Sequence, residues 1–279
     1  MIPQRDLSLL SNRLARDGGR RIPETVLERD YCLAWFLTAL SRERLGERLV
    51  FKGGTAIKRC YVGDYRFSED LDFTLTEETS FEDIRKGLDP ICARVHRASG
   101  IAFRFAREDR RGRSNSHTFY LSYEGPLPAA AAGNEVKVDV TIREKIVFPP
   151  ERRPVLRGYD EYADLPDGTA LQVYSLDEIA AEKAVAVMDR SRNEPRDLYD
   201  IWYLTRENDM KLARLKNAVE EKLAFRGKKL ADVTGELAAK EARLKKLWQT
   251  RLAAQMARLP EFEAVYRWVR RAFRQAGLG

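Results

Sequence analysis

The chain has 279 residues, 44% of them hydrophobic and 33% charged, with a net charge of +7, enough for one large or two smaller domains around a sizeable core. No apolar run approaches the roughly 18 residues needed to span a bilayer, and the N-terminus, MIPQRDLSLL, has neither a basic leader nor a small-residue cleavage site, so a cytoplasmic protein with no membrane partner is expected. Cys32, Cys60 and Cys92 are odd in number, widely spaced and set among apolar neighbours, and the only histidines are His96 and His117, which argues against a disulfide framework, a zinc site or a histidine-rich metal centre.

In chain order, residues 3–17 pattern as a short helix with Leu7, Leu10 and Leu14 on one side, ended by Gly18 and Gly19. Pro23 suits the first turn of a longer helix that runs to about residue 45. A strand over 49–51, a short helix over 55–61 and a strand over 70–75 follow, and then a helix over 80–98 capped by Ser80. Residues 101–106 and 118–123 alternate like paired strands, joined by a strongly basic loop. In NEVKVDVTIR, residues 134–143, Val136, Val138, Val140 and Ile142 alternate with Lys137, Asp139, Thr141 and Arg143, an amphipathic strand. A Pro- and charge-rich connector spans 148–168, with a short strand near Val155. A boundary near Gly168 divides the chain into domains 1–168 and 169–279. The second is helical, over 176–190, 195–207, 211–224, 235–258 and 260–276.

The chemistry concentrates in VFKGGTAIKRCYVGDYRFSEDLDFTL, residues 50–75. Residues i and i+2 of a strand share a face, so Asp70 and Asp72 stand side by side while Leu71 and Phe73 turn to a core. Two adjacent carboxylates tolerate ionisation best around a divalent cation, and Mg²⁺ is held by one or two carboxylates plus substrate phosphates. Gly53 and Gly54 let backbone N–H groups approach an anion where the next helix begins near Thr55. The pattern points to a nucleoside triphosphate site; the bland reading is an acidic strand end beside a structural glycine turn. Asp139 is a candidate third carboxylate if its strand neighbours that of Asp70 and Asp72. Lys183 falls inside the apolar stripe of the 176–190 helix, so its ammonium must snorkel out or meet an anion. Asp197 and Asp200 lie one turn apart in RDLYDIW, residues 196–202. Arg196 and Asp197 could equally be surface charges, or pair with Arg190 or Arg192.

Phe51-Lys52-Gly53-Gly54-Thr55, then Arg66-Phe67-Ser68-Glu69-Asp70-Leu71-Asp72-Phe73, then Glu178 through Glu182-Lys183, and then Arg196-Asp197-Leu198-Tyr199-Asp200 together resemble the AbiEii/AbiGii nucleotidyltransferase toxins. That family belongs to the polymerase β-like nucleotidyltransferase superfamily and is found in abortive-infection and toxin–antitoxin loci. The resemblance covers about residues 45–205 and implies an α+β fold with a mixed-sheet nucleotidyltransferase core and a C-terminal helical bundle. It implies that Gly53, Gly54 and Thr55 cradle the triphosphate of an NTP and that Asp70 and Asp72 bind Mg²⁺. Lys183 would then contact the phosphates, with Asp197 as a further acidic group, so that the active site lies in a cleft between the two halves. Asp139 matches the superfamily's carboxylate that deprotonates the attacking hydroxyl. Ser68 either meets the phosphates or terminates a turn.

From Arg206 onward the chain carries 18 Lys/Arg against 9 Asp/Glu, so the preceding residues are slightly acidic. Such a region suits a polyanion such as nucleic acid, or is a solvated helical surface. Arg243, Lys245, Lys246 and Arg251 are candidate RNA contacts, with Arg104, Arg107, Arg110, Arg111 and Arg113 as a second group. Taken with the resemblance, the expected function is transfer of NMP to an RNA acceptor, above all the tRNA 3′ end, by a toxin that blocks translation and has a cognate antitoxin. Transfer of NMP or phosphate to a protein hydroxyl, Ser68 included, is the alternative enzyme reading, and a nucleotide-sensing RNA-binding protein the non-enzymatic one.

Overall fold

The computed structural model describes residues 1–16, 19–109, 115–128 and 133–279; Gly18 and three of the arginines named above, Arg110, Arg111 and Arg113, lie outside them. The chain divides into two compact units, Met1–Glu144 with Pro150–Tyr174, and Lys145–Pro149 with Ser175–Gly279.

The first unit opens with α1 (Gln4–Arg16), α2 (Glu24–Leu40) and the single turn α3 (Arg44–Glu47), then β1 (Leu49–Lys52), the turn α4 (Gly53–Ala56) and β2 (Leu71–Leu75). It continues through α5 (Phe81–Ser99), β3 (Ala102–Glu108), β4 (Ser116–Glu124), β5 (Asn134–Thr141), β6 (Glu151–Pro154) and β7 (Ala170–Val173). The strands form one mixed sheet in the order β3-β4-β5-β2-β1-β7-β6. β2 runs parallel to β5, and β1 parallel to β7, while the other neighbours are antiparallel.

Strict alternation sorts the central strands into two faces. Phe51, Leu71, Phe73, Phe119, Leu121, Val136, Val138 and Val140 are buried on one, where Phe51 and Phe73 pack with ring centroids 5.2 Å apart. α2 and α5 cover that face, with Phe36 of α2 against Phe103 of β3 at 5.3 Å. The residues between them, Lys52, Asp72, Lys137 and Asp139, are half-buried on the other face.

Several features depart from the expected pattern. The helix expected over 55–61 starts at Gly53 and widens into a π-turn over Ile57–Tyr61. Residues 170–173 form β7, whose Val173 pairs with Phe51, and the unit boundary therefore falls after Tyr174 and not at Gly168. Four residues flanked by loops carry too short a period to announce a strand; the open edge of β1 supplies the partner.

The second unit holds α6 (Leu176–Met188), α7 (Pro195–Arg206), α8 (Lys216–Phe225), the turns α9 (Leu230–Val233) and α10 (Glu236–Ala239), α11 (Glu241–Leu252) and α12 (Phe262–Gln275). The single helix expected over 235–258 is split at Lys240, whose buried ammonium donates to the carbonyls of Asp189 and Arg192 at 2.8 and 2.9 Å. Glu178, also buried, accepts from the N–H groups of Val147 and Phe148 at 3.1 and 2.9 Å. Lys222 meets Glu178 at 2.6 Å and donates to the Lys145 carbonyl at 2.7 Å. This buried pair fastens Lys145–Pro149 to the helices of its unit. No helix among the described residues is long and apolar enough to cross a membrane.

Candidate active site

The chain leaves β1 at Lys52 and turns at Gly53, whose φ of +80° only glycine adopts readily. The turn brings backbone against side chains of the next segment. A Cβ on Gly53 would sit 2.6 Å from Asp72 Oδ2, and one on Gly54 would sit 2.5 Å from Arg66 Nη2 and 3.4 Å from Ser68 Oγ. Gly53→Ala is therefore expected to lower stability by about 1–3 kcal/mol and to displace the Asp72 carboxylate. Thermal unfolding checks the first effect; an unchanged melting temperature would contradict the close approach.

Thr55 Oγ1, 2% exposed, donates to the Asp70 carbonyl at 2.6 Å, and so sets the backbone from which both aspartates project. The segment before them is tied down by Lys58. Its buried ammonium donates to the carbonyls of Gly63 and Tyr65 at 2.9 and 3.0 Å and to Tyr159 Oη at 3.1 Å, over the Phe67 ring. Burial pulls its pKa down to about 8. Arg66 and Ser68 are buried beside the glycine turn.

Across the sheet, Lys52 pairs in register with Asp72, Asp72 with Asp139, and Asp139 with Thr118. Directly paired residues share a face, so these four make a row across β1, β2, β5 and β4, with Asp70 two residues before Asp72 and Lys137 two before Asp139. The Asp139 carboxylate accepts from the Thr118 hydroxyl and from the Lys137 ammonium. Partial burial alone would lower the Lys137 pKa; the bond to Asp139 and the charges of Asp139, Asp70 and Asp72 outweigh it and raise it.

Among the described residues no group of three or more His, Cys, Asp or Glu stands assembled as a metal cage. The donor set nevertheless suits a hard cation. Asp72 and Asp139 are paired in register with Asp70 two residues before, all three offer only carboxylate oxygens, and a cation, the Lys137 ammonium, already meets Asp139.

In the second unit the lysine inside the apolar stripe has met its anions. Lys183 Nζ, in a residue 8% exposed, lies 2.7 Å from Asp197 Oδ1 and 2.7 Å from Asp200 Oδ2. Pro195 at the start of α7 and the three-residue spacing put both aspartates on the side turned to α6. Arg192 pairs with the other oxygen of Asp197. Burial would raise the Asp197 pKa, but Lys183 and Arg192 hold it well below the usual carboxylate range. Arg196 instead meets Glu194 at 3.6 Å.

Arg243, Lys245, Lys246 and Arg251 are exposed on α11, with Lys245 held by Glu263 at 2.5 Å. A longer basic stripe runs along α12, where Arg267, Arg270, Arg271 and Arg274 are exposed beside Trp268. Arg104 and Arg107 stand on the polar face of β3, and Arg107 lies 3.5 Å over the Tyr120 ring.

Sequence reasoning assigned no role to Lys137, Asp200 or the α12 arginines. The period of two that singles out Asp139 also places Lys137 beside it, and the i, i+3, i+4, i+7 spacing of Arg267, Arg270, Arg271 and Arg274 was equally open to view. A cavity of about 240 Å³ between α2 and α5, lined by Trp35, Thr38, Arg42 and Arg94 among others, includes none of these groups.

The model of the family described as nucleotidyl transferase AbiEii toxin, type IV toxin–antitoxin system, matches residues 35–276. Among solved structures, the chain resembles the MenT4 nucleotidyltransferase toxin of Mycobacterium tuberculosis H37Rv, with a TM-score of 0.64, 19% identity, and 97% of this chain and 89% of that one covered. It also resembles JHP933 from Helicobacter pylori, with a TM-score of 0.55, 16% identity, and 91% and 93% covered. At these identities the structures establish the shared fold. No curated protein matches the sequence.

Proposed function

The chain belongs to the AbiEii family of nucleotidyl transferase toxins of type IV toxin–antitoxin systems, and on that premise we propose that it moves NMP from an NTP to the 3′ end of an RNA, tRNA foremost, in a reaction that needs Mg²⁺. The enzyme is a nucleotidyltransferase, and its family implies a nucleotide substrate and an antitoxin partner. The observation that carries the finer reading is the row in which Asp72 and Asp139 face each other in register, with Asp70 alongside.

Asp70 and Asp72 are the groups that would hold the metal, which when bound neutralises charge on the triphosphate and on the leaving pyrophosphate. Asp139 accepts the proton of the attacking hydroxyl. The backbone at Gly53 and Gly54 admits the phosphates, with Arg66 and Ser68 beside it, and Thr55 keeps Asp70 in place through its carbonyl. Lys183 and Asp197 serve the same reaction, a role supported by the family resemblance; Asp197 and Asp200 orient the Lys183 ammonium.

An RNA acceptor is supported by the exposed basic residues of α11 and α12, since RNA stems are bound largely by phosphate contacts and shape. Incubation with each α-labelled NTP, Mg²⁺ and a mixture of total RNA and protein tests the reading. Label is expected on tRNA and is expected to vanish with EDTA. Label on protein would replace it with the hydroxyl-transfer reading, and no label with any nucleotide would refute transfer.

A further inference from the structure

Lys137 has no part in the motifs that mark the family, yet it stands beside the carboxylate row, in contact with Asp139. It projects from β5 on the same face as Asp139 and donates to that carboxylate. Asp139 also accepts from the Thr118 hydroxyl, and Asp72 faces it across β2 and β5. The charges of Asp139, Asp70 and Asp72 all act on the one ammonium. Carboxylates gathered on one face repel, and a cation beside them offsets that repulsion. The Lys137 side chain is 36% exposed, and its flexible four-carbon stem allows the ammonium to swing away from the strand while remaining tethered to it.

We infer that Lys137 is the built-in counter-ion of the carboxylate row: in the nucleotide-free protein it holds the place of the divalent cation, and it leaves that place when the cation enters. The inference rests on the reading of Asp70 and Asp72 as the metal-holding groups. It makes the resting toxin a poor binder of free divalent ions. The cation enters well only together with the triphosphate, whose oxygens complete its ligands and offset the loss of the ammonium.

The test is titration of the nucleotide-free protein with Mn²⁺, followed by disappearance of the free-ion EPR signal. Lys137→Gln is expected to bind Mn²⁺ about tenfold more tightly than the wild type, the scale on which one unit charge acts across a few ångströms at a partly exposed site. Lys137→Met, which keeps most of the stem, is the second neutral variant and should behave alike. Lys137→Arg keeps the charge and is expected to stay within about threefold of the wild type. Mg²⁺ without nucleotide should raise the melting temperature of Lys137→Gln more than that of the wild type.

Asp72→Asn separates the inference from the reading beneath it. If Asp72→Asn loses Mn²⁺ binding while both neutral Lys137 variants bind no more tightly than the wild type, the counter-ion role is overturned and the metal assignment stands. If Asp72→Asn binds Mn²⁺ like the wild type, the metal assignment falls and the inference falls with it.

Discussion

Asp72→Asn is expected to reduce nucleotidyl transfer at least about a thousandfold, because several kcal/mol of transition-state charge stabilisation depend on this carboxylate. Asp72 occupies the middle of the row, in register with Lys52 on one side and Asp139 on the other. Its oxygen also lies against the Gly53 turn, where no Cβ fits. Asparagine preserves the shape and the half-buried position, so the glycine turn and the strand pairing have no reason to move. Single-turnover transfer from labelled NTP, measured beside a thermal melt, checks both halves. An Asp72→Asn enzyme with near-normal turnover would sink the assignment of the row as the active site.

Lys183→Met is expected to destabilise the second unit by about 3–5 kcal/mol, the usual consequence of taking one partner from a buried ion pair. Lys183 contacts Asp197 and Asp200 at 2.7 Å each, and both aspartates are buried. Methionine fills the volume but brings no charge. Arg192 continues to meet Asp197, while Asp200 loses the ammonium 2.7 Å away. Adding Asp200→Asn to Lys183→Met should therefore recover a substantial part of the lost stability. The double variant also separates structure from chemistry: restored folding with transfer still absent would assign Lys183 to the reaction, while unaltered stability in Lys183→Met would refute the buried network.

The same network sets a pH dependence. The folded-state pKa of Asp197 is depressed, so its contribution is complete above the unfolded aspartate value of about 3.9 and is lost as the pH falls towards the folded value. The wild type should lose stability below about pH 4 more steeply than Asp197→Asn; parallel curves would contradict the pairing.

Local pattern was enough to place several groups. The alternation in residues 134–143 set Asp139 and Lys137 on the polar side of a strand, and that of 71–75 did the same for Asp72, with Asp70 just before the strand begins. The apolar stripe of α6 left Lys183 either to snorkel out or to meet an anion, and the three-residue spacing set Asp197 and Asp200 on one side of α7. These are properties of a few neighbouring residues and follow from periods of 2 and 3.6. Other features depended on pairing across long stretches of chain. That β2 and β5 are neighbours, in a register that sets Asp72 beside Asp139, is decided by hydrogen bonding between segments more than 60 residues apart. A slip of one residue would have turned one carboxylate into the core. The strand β7 exists because β1 has an edge to offer it. Glu178, which belongs to a family motif, holds the Val147 and Phe148 N–H groups and the Lys222 ammonium. The sequence by itself determined which groups stand on polar faces and which charges need partners; the tertiary structure alone decided who those partners are, because strand order, register and burial are set by contacts that no local period encodes.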